Sequence, residues 1–96
     1  MTKTDIINIV AEGTGLTKIE TAAVVDGFLA TIGYALQSGD RVTLRGFGTF
    51  RVVKRNERVA RNPKTGKMMY VPKHTSPIFK ASIDLRKMVN KDLTVE

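Results

Sequence analysis

Three arginines, Arg55, Arg58 and Arg61, stand three residues apart and lead into Asn62-Pro63-Lys64-Thr65-Gly66, a turn-forming run that sets an apolar ring among cations. Guanidinium groups in such number suit phosphate, because each offers five donors in a planar fork and keeps its charge at any ordinary pH. Their spacing does not place all three on one face of a flat strand, but a twisted ribbon lying in a groove would bring each to phosphates or to the groove floor. Pro63 admits two readings. It suits the first central position of a turn and needs no further role there. Its ring is also a suitable wedge between stacked bases, where the cost of unstacking is offset by a bend that brings more phosphate to the protein.

The net charge of +7 on 96 residues is unevenly placed. Residues 1–40 hold two lysines against five carboxylates, a balance of −3, and residues 74–96 carry +1. Residues 41–73 hold ten cations against Glu57 alone, a balance of +9. A single-sign segment repels itself, so this one implies a polyanionic partner. Two plainer expectations compete with duplex DNA: cations that only keep an exposed hairpin soluble, and a basic module that grips RNA or an acidic protein. Catalysis has no visible apparatus, since no nucleophile has a base at a suitable spacing. The absence of cysteine excludes disulfides and thiolate metal sites, and His74, the lone histidine, builds no zinc site. The expectation is therefore no enzyme, no cofactor, no metal and no small-molecule substrate. His74 reads as solvated, and one of Met68 and Met69 as packed behind a ribbon.

The elements that must position these residues follow from caps and periodicity. Thr2-Lys3-Thr4-Asp5 and Thr17-Lys18-Ile19-Glu20 each pair a capping hydroxyl with an acid three residues on, predicting two helices. The first should end at Gly13 and Gly15. The second is apolar over most of its circumference (Ala22, Val25, Phe28, Leu29, Ile32, Leu36), and so needs cover on more than one side. Gly39-Asp40 ends it. Arg41–Arg45 alternates as a strand, Gly46-Phe47-Gly48 turns the chain, and Thr49–Val53 returns. From Lys54 a two-stranded ribbon around the Asn62–Gly66 turn is predicted, mobile until it lies on something. A loop between Pro72 and Pro77, a brief strand Ile78–Lys80, a last helix from Ser82 or Asp84 and a frayed tail complete the chain.

A domain this small commonly needs a metal, a disulfide or a second subunit to complete its core, and only the last is left. No signal-like N-terminal run and no membrane-spanning stretch is expected.

With these residues in place, Gly46-Phe47-x-x-Phe50-x4-Arg55-x2-Arg58-x-Ala60-x-Asn62-Pro63-x-Thr65 resembles the signature of the bacterial histone-like HU and integration host factor proteins, without gaps over about residues 1–90. HU and integration host factor are themselves standard examples of minor-groove architectural binders. The resemblance implies an α+β fold: an intertwined dimer with a helical base, a small antiparallel sheet and two projecting β-ribbon arms, whose tip prolines intercalate and kink DNA. Position by position it implies DNA contacts from Arg55, Arg58, Arg61, Asn62 and Pro63 on the arm, from Lys3, Lys80 and Arg86 on the flanks, and from the Gly46 and Gly48 turn; the cations Arg51, Lys54, Lys64, Lys67 and Lys73 beside them complete the expected DNA-binding set. It implies that Phe47, Phe50 and Phe79 form the aromatic centre of a dimer core, to which the apolar periodicity adds Phe28, Leu29, Ile32, Leu36 and Leu44. Three positions depart from the pattern. Val53, Thr75 and Ile83 replace polar or basic residues, with Arg51, Lys54 and Lys73 nearby as compensation.

The expected organisation is one domain over residues 1–90, with a helical dimerisation base at 1–40, a sheet at 41–53, a DNA-binding arm at 54–74, a strand and helix at 75–90, and a tail at 91–96. The expected function is architectural: binding double-stranded DNA in the minor groove with little sequence specificity, bending and compacting it. A site-specific bender of the integration host factor type is the nearest alternative. The expected partners are DNA and a second copy of the chain, or a paralogue. The expected location is the cytoplasmic nucleoid, or a host's cytoplasm if the chain is phage-encoded.

Overall fold

Both long helices begin where a threonine and an acid stand three residues apart. The computed structural model describes residues 1–90, in two units, Met1–Ala35 and from Leu36 onward. In the first, α1 spans Lys3–Thr14, with Thr2 and Asp5 forming a reciprocal capping box. The helix runs through Gly13 and ends at Gly15, the second of the two glycines expected to close it. Gly15 takes the left-handed conformation (φ 78°), which glycine adopts without a steric penalty. α2 spans Lys18–Gln37. Its Thr17 hydroxyl accepts from Glu20 N–H at 3.1 Å, and Thr17 N–H donates to the Glu20 carboxylate at 3.0 Å. That contact, the backbone N–H first and the Thr17 hydroxyl second, holds the Glu20 carboxyl below its ordinary value of 4.5.

Ile7, Ala11 and Thr21 are the buried residues of this unit, and Thr21 satisfies its hydroxyl on the Thr17 carbonyl at 2.8 Å. Much larger apolar side chains stay open: Phe28 and Leu29 are each 50% exposed and Val24 64%. By length and composition α2 could cross a membrane, which corrects the expectation that no stretch approaches a span. Its glycines, threonines and tyrosine dilute the apolar pattern without adding charge.

In the second unit, β1 (Val42–Leu44), β2 (Gly48–Arg55), β3 (Arg58–Arg61), β4 (Met68–Val71) and β5 (His74–Ala81) precede α3 (Ile83–Val89). The order β1-β2-β5 forms one antiparallel sheet, and β3-β4 form a separate two-stranded ribbon. β5 corrects two expectations: the strand is eight residues long, and Pro77 lies inside it opposite Val52. β5 is an edge strand, where a missing N–H breaks no ladder.

Sheet and ribbon share one register. Arg55 pairs with His74 at the end of the sheet, and Arg58 pairs with Val71 at the start of the ribbon, so both follow a single long hairpin. Its ladder lapses only at Asn56-Glu57 and Pro72-Lys73, where Pro72 has no N–H to give. Ser82 caps α3 by accepting from Leu85 N–H at 3.1 Å. Ile83, Met88 and Val89 on that helix are exposed, and Leu85 is half-buried. The sequence expectation for 91–96 lies outside the described residues.

Candidate nucleic-acid interface

Alternation along β2 and β5 sorts the sheet into two faces. Pairing places Thr43, Thr49, Arg51, Val53, Arg55, Lys80, Ile78, Ser76 and His74 on one, and Val42, Leu44, Phe50, Val52, Phe79 and Pro77 on the other. The apolar face is organised by rings. Phe79 lies 4.7 Å from Phe50 and 5.4 Å from Phe47, centroid to centroid, in tilted pairs. Gly48 makes room for this: a Cβ there would sit 2.5 Å from both the Phe79 ring and the Lys80 carbonyl oxygen. Gly48 is buried and laddered on both sides, and it also lines a groove that opens beside it. Gly46, in the exposed turn at φ 83°, lines the same groove.

A groove opens on the cationic face, lined by Arg45, Lys80 and Arg86 with Thr43, Thr49, Gly46 and the start of α3. Lys80 and Arg86 were expected here. Arg45, Thr43 and Thr49 were not, although the alternation of Thr43 with Leu44 and of Thr49 with Phe50 carried the signal. Ile83 lines the same groove. Arg51 and Arg55 flank Val53 on this face, whereas Lys54, paired with Thr75, lies on the opposite one, so Lys54 does not stand in for Val53.

The ribbon carries the rest. Arg61, Val59, Met68 and Tyr70 share one face by pairing, and Arg58, Ala60, Met69 and Val71 the other. Met68 and Met69 are 62% and 50% exposed, so neither packs behind the ribbon as expected. Two strands have no second layer to bury a side chain against. At the tip, Asn62 N–H donates to the Lys67 carbonyl and Gly66 N–H to the Asn62 carbonyl, both at 2.8 Å. The Asn62 side-chain oxygen accepts from Lys64 N–H at 2.9 Å. Asn62 thereby shapes the loop, Gly66 reverses it at φ 71°, and Pro63 stands exposed at its end.

Arg51, Lys54, Arg55, Arg58, Arg61, Lys64, Lys67, Lys73, Lys80 and Arg86 are all exposed. Among the described residues the single ion pair is Lys3 with Asp26, at 2.7 Å. Both partners are more than half exposed, so the pair is worth at most about 1 kcal/mol and a phosphate competes for Lys3 readily. The Tyr70 hydroxyl donates to the Glu57 carboxylate, which raises the phenol above its ordinary value of 10.0. Among the described residues no cluster of histidine and carboxylates could hold a metal.

The family described as bacterial DNA-binding protein matches residues 1–90. The DNA-binding protein HU of Staphylococcus aureus is 45% identical over 89 residues, covering 93% of this chain and 99% of its own. That of Geobacillus stearothermophilus is 44% identical over the same length and coverage. An Anabaena HU–DNA cocrystal structure superposes with a TM-score of 0.83 at 42% identity, covering 93% of this chain and 97% of that one. HU from Thermotoga maritima superposes at 0.67 with 29% identity, covering 93% and 98%.

Proposed function

The chain belongs to the bacterial DNA-binding protein family, and from that premise we propose that it is a non-enzymatic architectural protein which binds double-stranded DNA in the minor groove and bends it, with little sequence preference. One observation carries the proposal: a proline exposed at the end of a ribbon, beyond Arg58 and Arg61, with no second layer to cover any of it. The ribbon lies in the groove, its arginines meet the strongly negative floor and the flanking phosphates, and the Pro63 ring enters the stack. The bent flank then reaches Arg51, Arg55 and the groove of Arg45, Lys80 and Arg86, where cations and the Gly46 turn meet phosphate.

The working unit is a dimer of this chain. A single copy leaves Phe28 and Leu29 half open, Phe47 46% exposed and Phe79 41% exposed, while among the described residues only Ile7 and Ala11 are buried hydrophobics. Ile32, Leu36, Leu44 and Phe50 are half-covered in one copy. A second copy would complete that core and would cover the apolar circumference of α2 in place of lipid. Two arms from one body would straddle a duplex, in the bacterial nucleoid.

Affinity that comes mainly from released counterions falls steeply with salt. A dimer neutralising roughly six to ten phosphates gives a log–log slope of about −0.9 for each. Competition of a random duplex against an acidic polypeptide at one salt concentration tests the function. The duplex should win clearly; equal competition would make the chain a general polyanion binder and leave Pro63 without a role.

A further inference from the structure

Glu57 is the one acid among the ten cations of residues 41–73, and its surroundings assign Tyr70 a task that rests on the DNA-binding reading above. The shared register of sheet and ribbon sets Glu57 opposite Pro72, so its diagonal neighbours across the hairpin are His74 toward the sheet and Tyr70 toward the tip. A cavity at the root of the ribbon is lined by Arg55, Asn56, Glu57, Arg58, His74 and Ser76. A carboxylate in that company would ordinarily pair with a guanidinium, yet among the described residues neither arginine is in an ion pair. Glu57 instead accepts the Tyr70 hydroxyl.

We infer that Tyr70 is a positioning residue that holds Glu57 toward the tip of the ribbon, keeping the Arg55 and Arg58 guanidiniums available for phosphate. Without the phenol, the carboxylate turns to the cations beside it. Each such intramolecular pair must then be broken before DNA is bound. Tyr70 is 63% exposed and packs against no core, so its loss should not disturb the fold. The site also stands at the break in the ladder, where Pro72 supplies no backbone bond to fix Glu57 by other means.

A double-mutant cycle tests the assignment, with duplex affinity measured for wild type, Tyr70→Phe, Glu57→Gln and the double variant at low salt. Tyr70→Phe should weaken binding by about two- to fivefold, the range of an exposed ion pair, and should do nothing in the Glu57→Gln background. The phenolate absorbance titration of Tyr70, raised in wild type, should fall back in Glu57→Gln, a readout that needs no DNA. Equal losses from Tyr70→Phe in both backgrounds would mean that the phenol itself touches DNA and would overturn the inference. No loss in either background, or an unshifted phenol titration, would overturn it too. Wild-type protein that ignores duplex DNA while the phenol titration shifts as stated would instead sink the DNA-binding reading, and this role for Tyr70 with it.

Discussion

The sheet and the ribbon of the second unit are cut from the same hairpin in the same register, yet they are built for opposite ends. In the sheet a third strand and three phenylalanine rings make one face apolar, and Gly48 is buried beneath Phe79. In the ribbon the ladder has four rungs and no second layer, and only Ala60, Asn62 and Val71 are half-buried. Identical backbone pairing thus yields a stable platform where side chains find a layer to pack on, and an accessible probe where they do not. Stability and recognition should therefore be separable by mutation.

Substitution in the sheet sharpens that contrast most. Gly48→Ala places a methyl 2.5 Å from a backbone carbonyl and from an aromatic ring, neither of which yields cheaply. It should cost about 1–3 kcal/mol in urea unfolding, with the tip residues of the ribbon unaltered in their amide exchange. An unchanged midpoint would show that the rings are looser than the geometry implies.

Substitution in the ribbon should do the reverse. Arg58→Ala and Arg61→Ala should leave stability within about 0.5 kcal/mol. Each should weaken binding across all sequences and reduce the salt slope by about 0.9 for every phosphate no longer neutralised, twice over in a dimer. A comparable drop in thermal stability would break the separation.

The smallest effect expected lies outside both regions, at the cap of α2, and serves as a control. Glu20 has a lowered folded-state pKa, so its contribution is complete above 4.5 and disappears as pH falls through the lower folded value. Glu20→Gln should remove that part of the acid dependence of the unfolding midpoint and leave DNA binding alone.

Much of this was legible in the sequence because it is local. The capping boxes at Thr2 and Thr17, the Ser82 cap, the Gly46 turn and the Asn62–Gly66 loop are each set by residues within a few positions of one another. Pairing across the hairpin is not local, and it is where the sequence misled. Pro77 looked like a loop residue because nothing nearby reveals that β5 is an edge strand. Lys54, expected with Arg51 and Lys73 to compensate for Val53, Thr75 and Ile83, stands opposite Thr75 and away from Val53, because neighbours on a strand face opposite ways. The Tyr70–Glu57 contact spans thirteen positions, and the groove of Arg45, Thr43 and Thr49 appears only once β1 and β5 are laid on either side of β2. The need of α2 for cover on more than one side was legible, because its periodicity already exceeded what one face could bury.

Energy transfer between dyes at the two ends of a short duplex, read at saturating protein for wild type and Pro63→Ala, tests the central claim most directly. Wild type should bring the ends together, and Pro63→Ala should retain most of the affinity while the ends stay farther apart. A duplex that remains straight under saturating wild type, or that bends equally without the proline ring, would contradict the account.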